Sequence, residues 1–229
     1  MTNPTTTTRR RRTITAIAGL VVVAALIAAA LFFANRSPAE APEPTPTSTS
    51  TPTPSATIEP DAAPTGCLGG EERDAAMVLA AQEQAPQTSN GAIEVATAFV
   101  RWLNRFPYPT EEDAALVQQS GLAAAAPTTD LTGFFASNPN LSGGLVADGV
   151  SYFLSTVTGV YHLESASPTL VTASVGTAIA EEGAISPSLK GSITVTVAWE
   201  EDRWKFVSSE GTRTTEDLFA IGRPYTSGC

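Results

Sequence analysis

The sequence predicts an α+β domain held behind a membrane anchor. Three observations carry this. A twenty-residue run with no charge and no proline lies near the N-terminus. A Pro/Thr/Ser-rich stretch follows it. Beyond that stretch, apolar residues recur first at helical spacing and then, after residue 149, at the two-residue period of strands. Helices followed by consecutive antiparallel strands with one apolar face give helices laid across a curved sheet.

The apolar run covers residues 14–33, and the span is placed at 14–34. As a helix, twenty residues reach about 30 Å, the thickness of a bilayer's hydrocarbon core. Arg9, Arg10, Arg11 and Arg12 flank one side and only Arg36 the other. This bias puts residues 1–13 in the cytoplasm and the rest of the chain outside a bacterial cell membrane. A cleaved signal peptide is the competing reading. Its apolar region is usually shorter and ends in small residues, whereas Phe32 and Phe33 stand here.

Residues 35–66 are mostly Pro, Thr and Ser and cannot bury enough surface to offset the entropy of ordering. Repeated prolines favour an extended spacer, with a reach of at most about 95 Å. Such stretches outside the cell are also O-glycosylation candidates.

Residues 67–229 are read as the extracytoplasmic domain. It holds eight Lys/Arg against nineteen Asp/Glu, whereas residues 1–66 hold five Arg against four acids. That acidity argues against nucleic acid, which binds through phosphate neutralisation. The two cysteines, Cys67 and Cys229, bracket the domain. Outside the cytoplasm they can join its ends in a disulfide; two free or intermolecular thiols are the alternative.

Helices are expected at 71–84 and 92–106, then at 111–125. In the second, Ile93, Ala96, Phe99, Val100 and Leu103 form one apolar face, and Pro107 and Pro109 stop it. Arg101, Trp102 and Arg105 fall on other faces, where packing and solvation explain them better than a ligand does. Thr110 caps the third helix, and the acids at 111–113 suit its dipole better than a metal. Residues 127–147 read as irregular, with a short helix near 131–136.

Strands are expected at 150–165, 169–181, 191–199 and 203–209. The last two form a hairpin turning at Glu200-Glu201-Asp202-Arg203, with Trp199 opposite Trp204 and Val197 opposite Phe206. Ile193, Val195, Val197 and Trp199 then share a face with Trp204 and Phe206. Ser192, Thr194, Thr196 and Ala198 share the other with Lys205. Residues 218–221 add a last turn.

Chemistry-bearing residues are few. His162, the only histidine, shares a strand side with Glu164. The two could act as an acid–base unit in a cavity, but a hydrogen-bonded surface histidine explains them more simply. No nucleophile motif, metal-ligand spacing, phosphate loop or dinucleotide fingerprint accompanies them, so no cofactor and no enzyme is expected. Tyr161, His162, Trp199 and Trp204 are the candidates for a pocket or interface.

The order of parts, with Val195-Thr-Val-Ala-Trp199 leading to Trp204-Lys-Phe-Val207, resembles bacterial single-pass membrane proteins that carry a nuclear-transport-factor-2-like cone domain outside. The likeness covers roughly residues 90–210. That group includes scaffold subunits of type IV secretion and conjugation machines and accessory proteins of actinobacterial lipid importers. The resemblance implies protein partners in the cell envelope and self-association. A small-molecule or lipid-binding accessory protein is the second reading, and requires an apolar cavity under the sheet. A cone-fold enzyme is the third.

Overall fold

The computed structural model describes residues 61–211 and 213–229. The predicted cytoplasmic tail, membrane span and most of the linker lie outside them. Among the described residues no helix is long and apolar enough to cross a membrane.

Helices pack against a strongly curled antiparallel half-barrel sheet, an α+β arrangement. The helices are α1 (Ala75–Gln84), α2 (Ser89–Leu103), α3 (Glu111–Ser120), α4 (Leu131–Ser137) and α5 (Thr215–Ile221). The strands are β1 (Arg105–Phe106), β2 (Tyr152–Ala166), β3 (Leu170–Glu181), β4 (Ala184–Glu200), β5 (Arg203–Ser208) and β6 (Arg223–Pro224). They pair in the order β1-β2-β3-β4-β5, with β6 added to β2. Register shifts in β2 between Ser155 and Val160, in β4 between Ile185 and Lys190, and in β5 between Phe206 and Ser208 interrupt the ladders. Such irregularities bend strands and increase twist, which suits the curl.

The last hairpin has the expected register, Trp199 opposite Trp204 and Val197 opposite Phe206. Its turn places Glu201 and Asp202 both at positive φ, as a two-residue hairpin loop requires. A second two-residue turn, at Glu182 and Gly183, joins β3 to β4. β4 therefore starts at Ala184, seven residues before the expected position. Its early part holds Pro187 and Lys190, poor strand residues on their own, and it is β3 that draws it into the sheet.

Helix boundaries also move. α1 starts at Ala75 because Asp74 caps it, accepting the Met77 N–H at 2.9 Å. The carbonyls of Gly70 and Glu71 meanwhile bond to Arg101. α2 starts at Ser89, where Thr88 accepts the Gly91 N–H at 3.0 Å, and ends before Asn104, so Arg105 and Phe106 pair with β2 instead. Gly91 is needed there, since a Cβ would lie 2.2 Å from the Pro86 carbonyl oxygen. α3 stops at Ser120 because residues 121–123 run beside β5: Phe206 donates to Gly121 and accepts from Ala123.

α2 is buried almost all round, not on one face only. Phe99 and Trp102 join α1, α3 and α4 in one apolar cluster, with Val78, Val117, Leu131 and Phe135. Val95, Ala96 and Val100 meet the sheet through Val175, Ile179, Val195 and Val197. Arg101, expected to be solvated, is 0 % exposed. The sheet is likewise covered on both sides. Leu218 and Phe219 of α5 lie over Gly176, a position whose added Cβ would meet them at 3.0 Å, and Ser174, Ala178 and Ala180 of the same face are buried.

Candidate functional site

The chain's two ends meet on β2. Cys67 and Cys229 form a disulfide with their Cα atoms 5.6 Å apart. Thr156 receives both ends: its Oγ1 donates to the Gly66 carbonyl at 2.9 Å and its N–H to that of Cys229 at 2.8 Å. The buried Glu94 carboxylate of α2 accepts the backbone N–H groups of Thr65 and Gly66 and the Thr65 hydroxyl. Residues 64–66, linker by composition, thus belong to the fold.

The other predicted residues do not converge. Tyr161 is buried on the inner side against Tyr225, ring centroids 5.2 Å apart, with Ile93 and Ala173. His162 follows it on the strand and so points to the opposite face. Trp199 meets Trp204 edge-on at 5.3 Å. Trp204 is buried, and its indole N–H donates to the Pro86 carbonyl at 2.9 Å. It pins the turn between α1 and α2, a structural role.

Glu164 does not form a working pair with His162. Arg213 holds its carboxylate through Nε and Nη2, and the Ser174 hydroxyl donates to it at 2.6 Å. The Arg213 hydrogen bond, opposed by partial burial and helped by Ser174, holds Glu164 down at about 2. A carboxylate so stabilised is a poor proton acceptor near neutrality.

A sizeable apolar recess under the sheet lies elsewhere. It is an open cleft of about 540 Å³ between the end of α2, α4, the 141–145 loop and the inner face of β2, β3 and β4, reaching round β4 at Ser192 to the start of α5 at Thr215. Leu103, Phe134, Leu141, Leu154, Ile179 and Ile193 give its apolar wall. Its polar lining is Asn104, Ser142, Ser192, Ser209 and Thr215, with no charged side chain. Asn140 holds the loop in shape: its amide donates to the Val146 carbonyl at 2.9 Å and to Asp148 at 2.7 Å, and its oxygen accepts from Ser142. Leu145, 45 % exposed, stands at the cleft. A smaller recess of about 160 Å³, where Phe99 stacks on Phe206 at 3.9 Å, shares Leu103, Phe134 and Ser209 with it.

The sequence signal for this cleft was weak. Its lining comes from eight separate segments, and Gly191, which leaves room in its wall, reads only as a strand boundary. Among the described residues no cluster of His, Cys, Asp and Glu suits a metal ion. No known family, curated protein or solved structure matches the chain.

Proposed function

We propose that the chain is a membrane-anchored extracytoplasmic binding protein, a scaffold in an envelope assembly such as a conjugative transfer or secretion apparatus. In this reading residues 14–34 anchor it in the bilayer with the N-terminus in the cytoplasm, and the domain is a nuclear-transport-factor-2-like cone. The observation that carries the reading is the uncharged cleft of about 540 Å³, open at Leu145. Apolar recesses with a few oriented polar groups are the usual form of binding sites. The nearest candidate for proton transfer, Glu164, is engaged by Arg213 and lies outside this cleft.

One observation favours the second reading, a lipid or small-molecule accessory protein. The shared residues Leu103, Phe134 and Ser209 make the two recesses neighbours along one apolar groove, a form that suits a long apolar ligand.

A photo-crosslinking residue in place of Leu145, in the full chain in its native membrane, tests both. Crosslinks to envelope proteins, absent from the same probe at the exposed Leu116 of α3, are the expected result. Crosslinks to lipid alone would replace the scaffold reading with the second. Equal yields at both positions would overturn both.

A further inference from the structure

Two arginines meet beside one aromatic ring, Phe153. Arg105 of β1 is the cross-strand partner of Phe153 on β2, and such partners stand side by side on one face of a sheet. The Arg73 guanidinium carbon lies 4.0 Å from the centre of the same ring. Behind them Arg101, fully buried, donates Nη1 to the Gly70 carbonyl and Nη2 to that of Glu71, both at 3.1 Å. It is a positioning residue that fixes the loop carrying Arg73.

The charges are poorly matched from within. Among the described residues Arg73 forms no ion pair, and Arg105 has only Asp113, at 3.9 Å. Asp113 already accepts the Ala75 N–H at 3.2 Å. Glu71 and Glu72 lie on the same loop, yet neither side chain hydrogen-bonds a guanidinium among these residues. Nε of Arg73 and Nε of Arg105 are buried without an acceptor. Burial first, then the charge of Arg105, lowers the proton affinity of Arg73, against the smaller opposing effect of Glu72 and Glu71. This occurs in a domain with nineteen acids and eight basic residues.

We propose that Arg73, seated on Phe153, and Arg105 beside it bind an oxyanion of the phosphate class, either a lipid headgroup phosphate or free phosphate. Guanidinium forks match phosphate oxygens in pairs, and an aromatic face supports the cation. A planar carboxylate answers one fork, and three carboxylates in this neighbourhood leave the pair unbridged. A tetrahedral anion presents oxygens to both and relieves their repulsion.

The test uses the full chain in maltoside detergent micelles, which carry no phosphate, titrated with inorganic phosphate at constant ionic strength with chloride as balance. The readout is the thermal unfolding midpoint. A phosphate-specific rise is expected, and Arg73→Gln or Arg105→Gln should weaken it about tenfold in concentration, as loss of a charge-assisted hydrogen-bond pair predicts. Arg223→Gln, on exposed β6, should leave it unchanged. Should either glutamine variant fail to fold, Phe153→Leu removes the ring and keeps both charges, and a weakened response is again expected. Adding phosphatidic acid to the micelles separates the sources. Loss of the phosphate response there assigns the site to headgroups, and persistence assigns it to the free anion. Equal effects of phosphate and chloride, or equal affinity in the arginine variants, would overturn the site.

Discussion

Arg213 closes on Glu164 with two nitrogens, tying the segment before α5 to β2 across 49 residues of sequence. The pair sits on the sheet's outer face. Ser192 adds a bond there from its hydroxyl to the Arg213 carbonyl, and Thr215 donates to Ser192 at 3.1 Å. The outer face therefore gains a cover that its alternating Thr and Ser residues would not suggest.

This pair makes stability depend on acid. Glu164 sits near 2 in the folded protein against an ordinary 4.5. A depressed carboxyl contributes stability that is complete above its unfolded value and is lost as pH falls through its folded value. Denaturant midpoints should thus fall between pH about 4.5 and about 2. In Glu164→Gln the slope of that fall should be shallower. An unchanged slope would show that the carboxylate is not held by Arg213.

The disulfide closes a sequence separation of 162 residues. In the chain-entropy model such a loop gives about 5 kcal/mol, an upper value because the reduced chain keeps some structure. The double variant Cys67→Ser, Cys229→Ser should lower unfolding stability by several kcal/mol in urea. Its first visible effect should be faster amide exchange at residues 225–229, which would remain joined to residues 64–66 only by hydrogen bonds such as Thr226 to Pro64 and Gly228 to Thr65. Unchanged exchange there would contradict the two ends being held chiefly by the disulfide.

Gly176→Val tests the seat of α5. An added Cβ would lie 2.8 Å from Val160 and 3.0 Å from both Leu218 and Phe219. Overpacking of this kind costs about 1–3 kcal/mol. Hydrogen exchange should rise in α5 while α2 stays protected. Uniform loosening of the whole domain would show that the helix and sheet do not separate.

Leu145→Asp places a charge in the uncharged cleft at an exposed position. Stability should change by no more than about 0.5 kcal/mol. Binding of a polarity-sensitive naphthalene dye, followed by fluorescence, should fall sharply. Undiminished fluorescence would move the apolar binding surface away from the cleft.

Much of the domain was legible locally. The β4–β5 hairpin followed from strict alternation, which fixes both register and face at once. Thr110 was legible as a cap because a Thr oxygen three residues before an N–H satisfies it without help from elsewhere; it accepts from Asp113 at 3.1 Å. The start of β4 was not legible. Pro187 and the serines beside it argue against a strand, and only the pairing of Ala184, Ile185 and Lys190 with β3 on either side of them carries the strand through. Arg101 was misread because charge suggests solvent, and nothing near it in the chain reveals that the Gly70 and Glu71 carbonyls wait for it.

The sequence by itself determined the α+β class, the alternation within the long strands and the pairing of the last hairpin. These depend on residues within a few positions of one another. The tertiary structure alone decided which residues meet at long range. It joined Glu164 to Arg213 and not to His162, put Arg73 over Phe153 and Arg105 beside it, laid α5 over Gly176, and assembled the cleft from eight segments. The physical reason is that a recess or a cross-chain ion pair depends on the curl of the sheet and on what packs behind it, and neither is encoded in any short stretch of sequence.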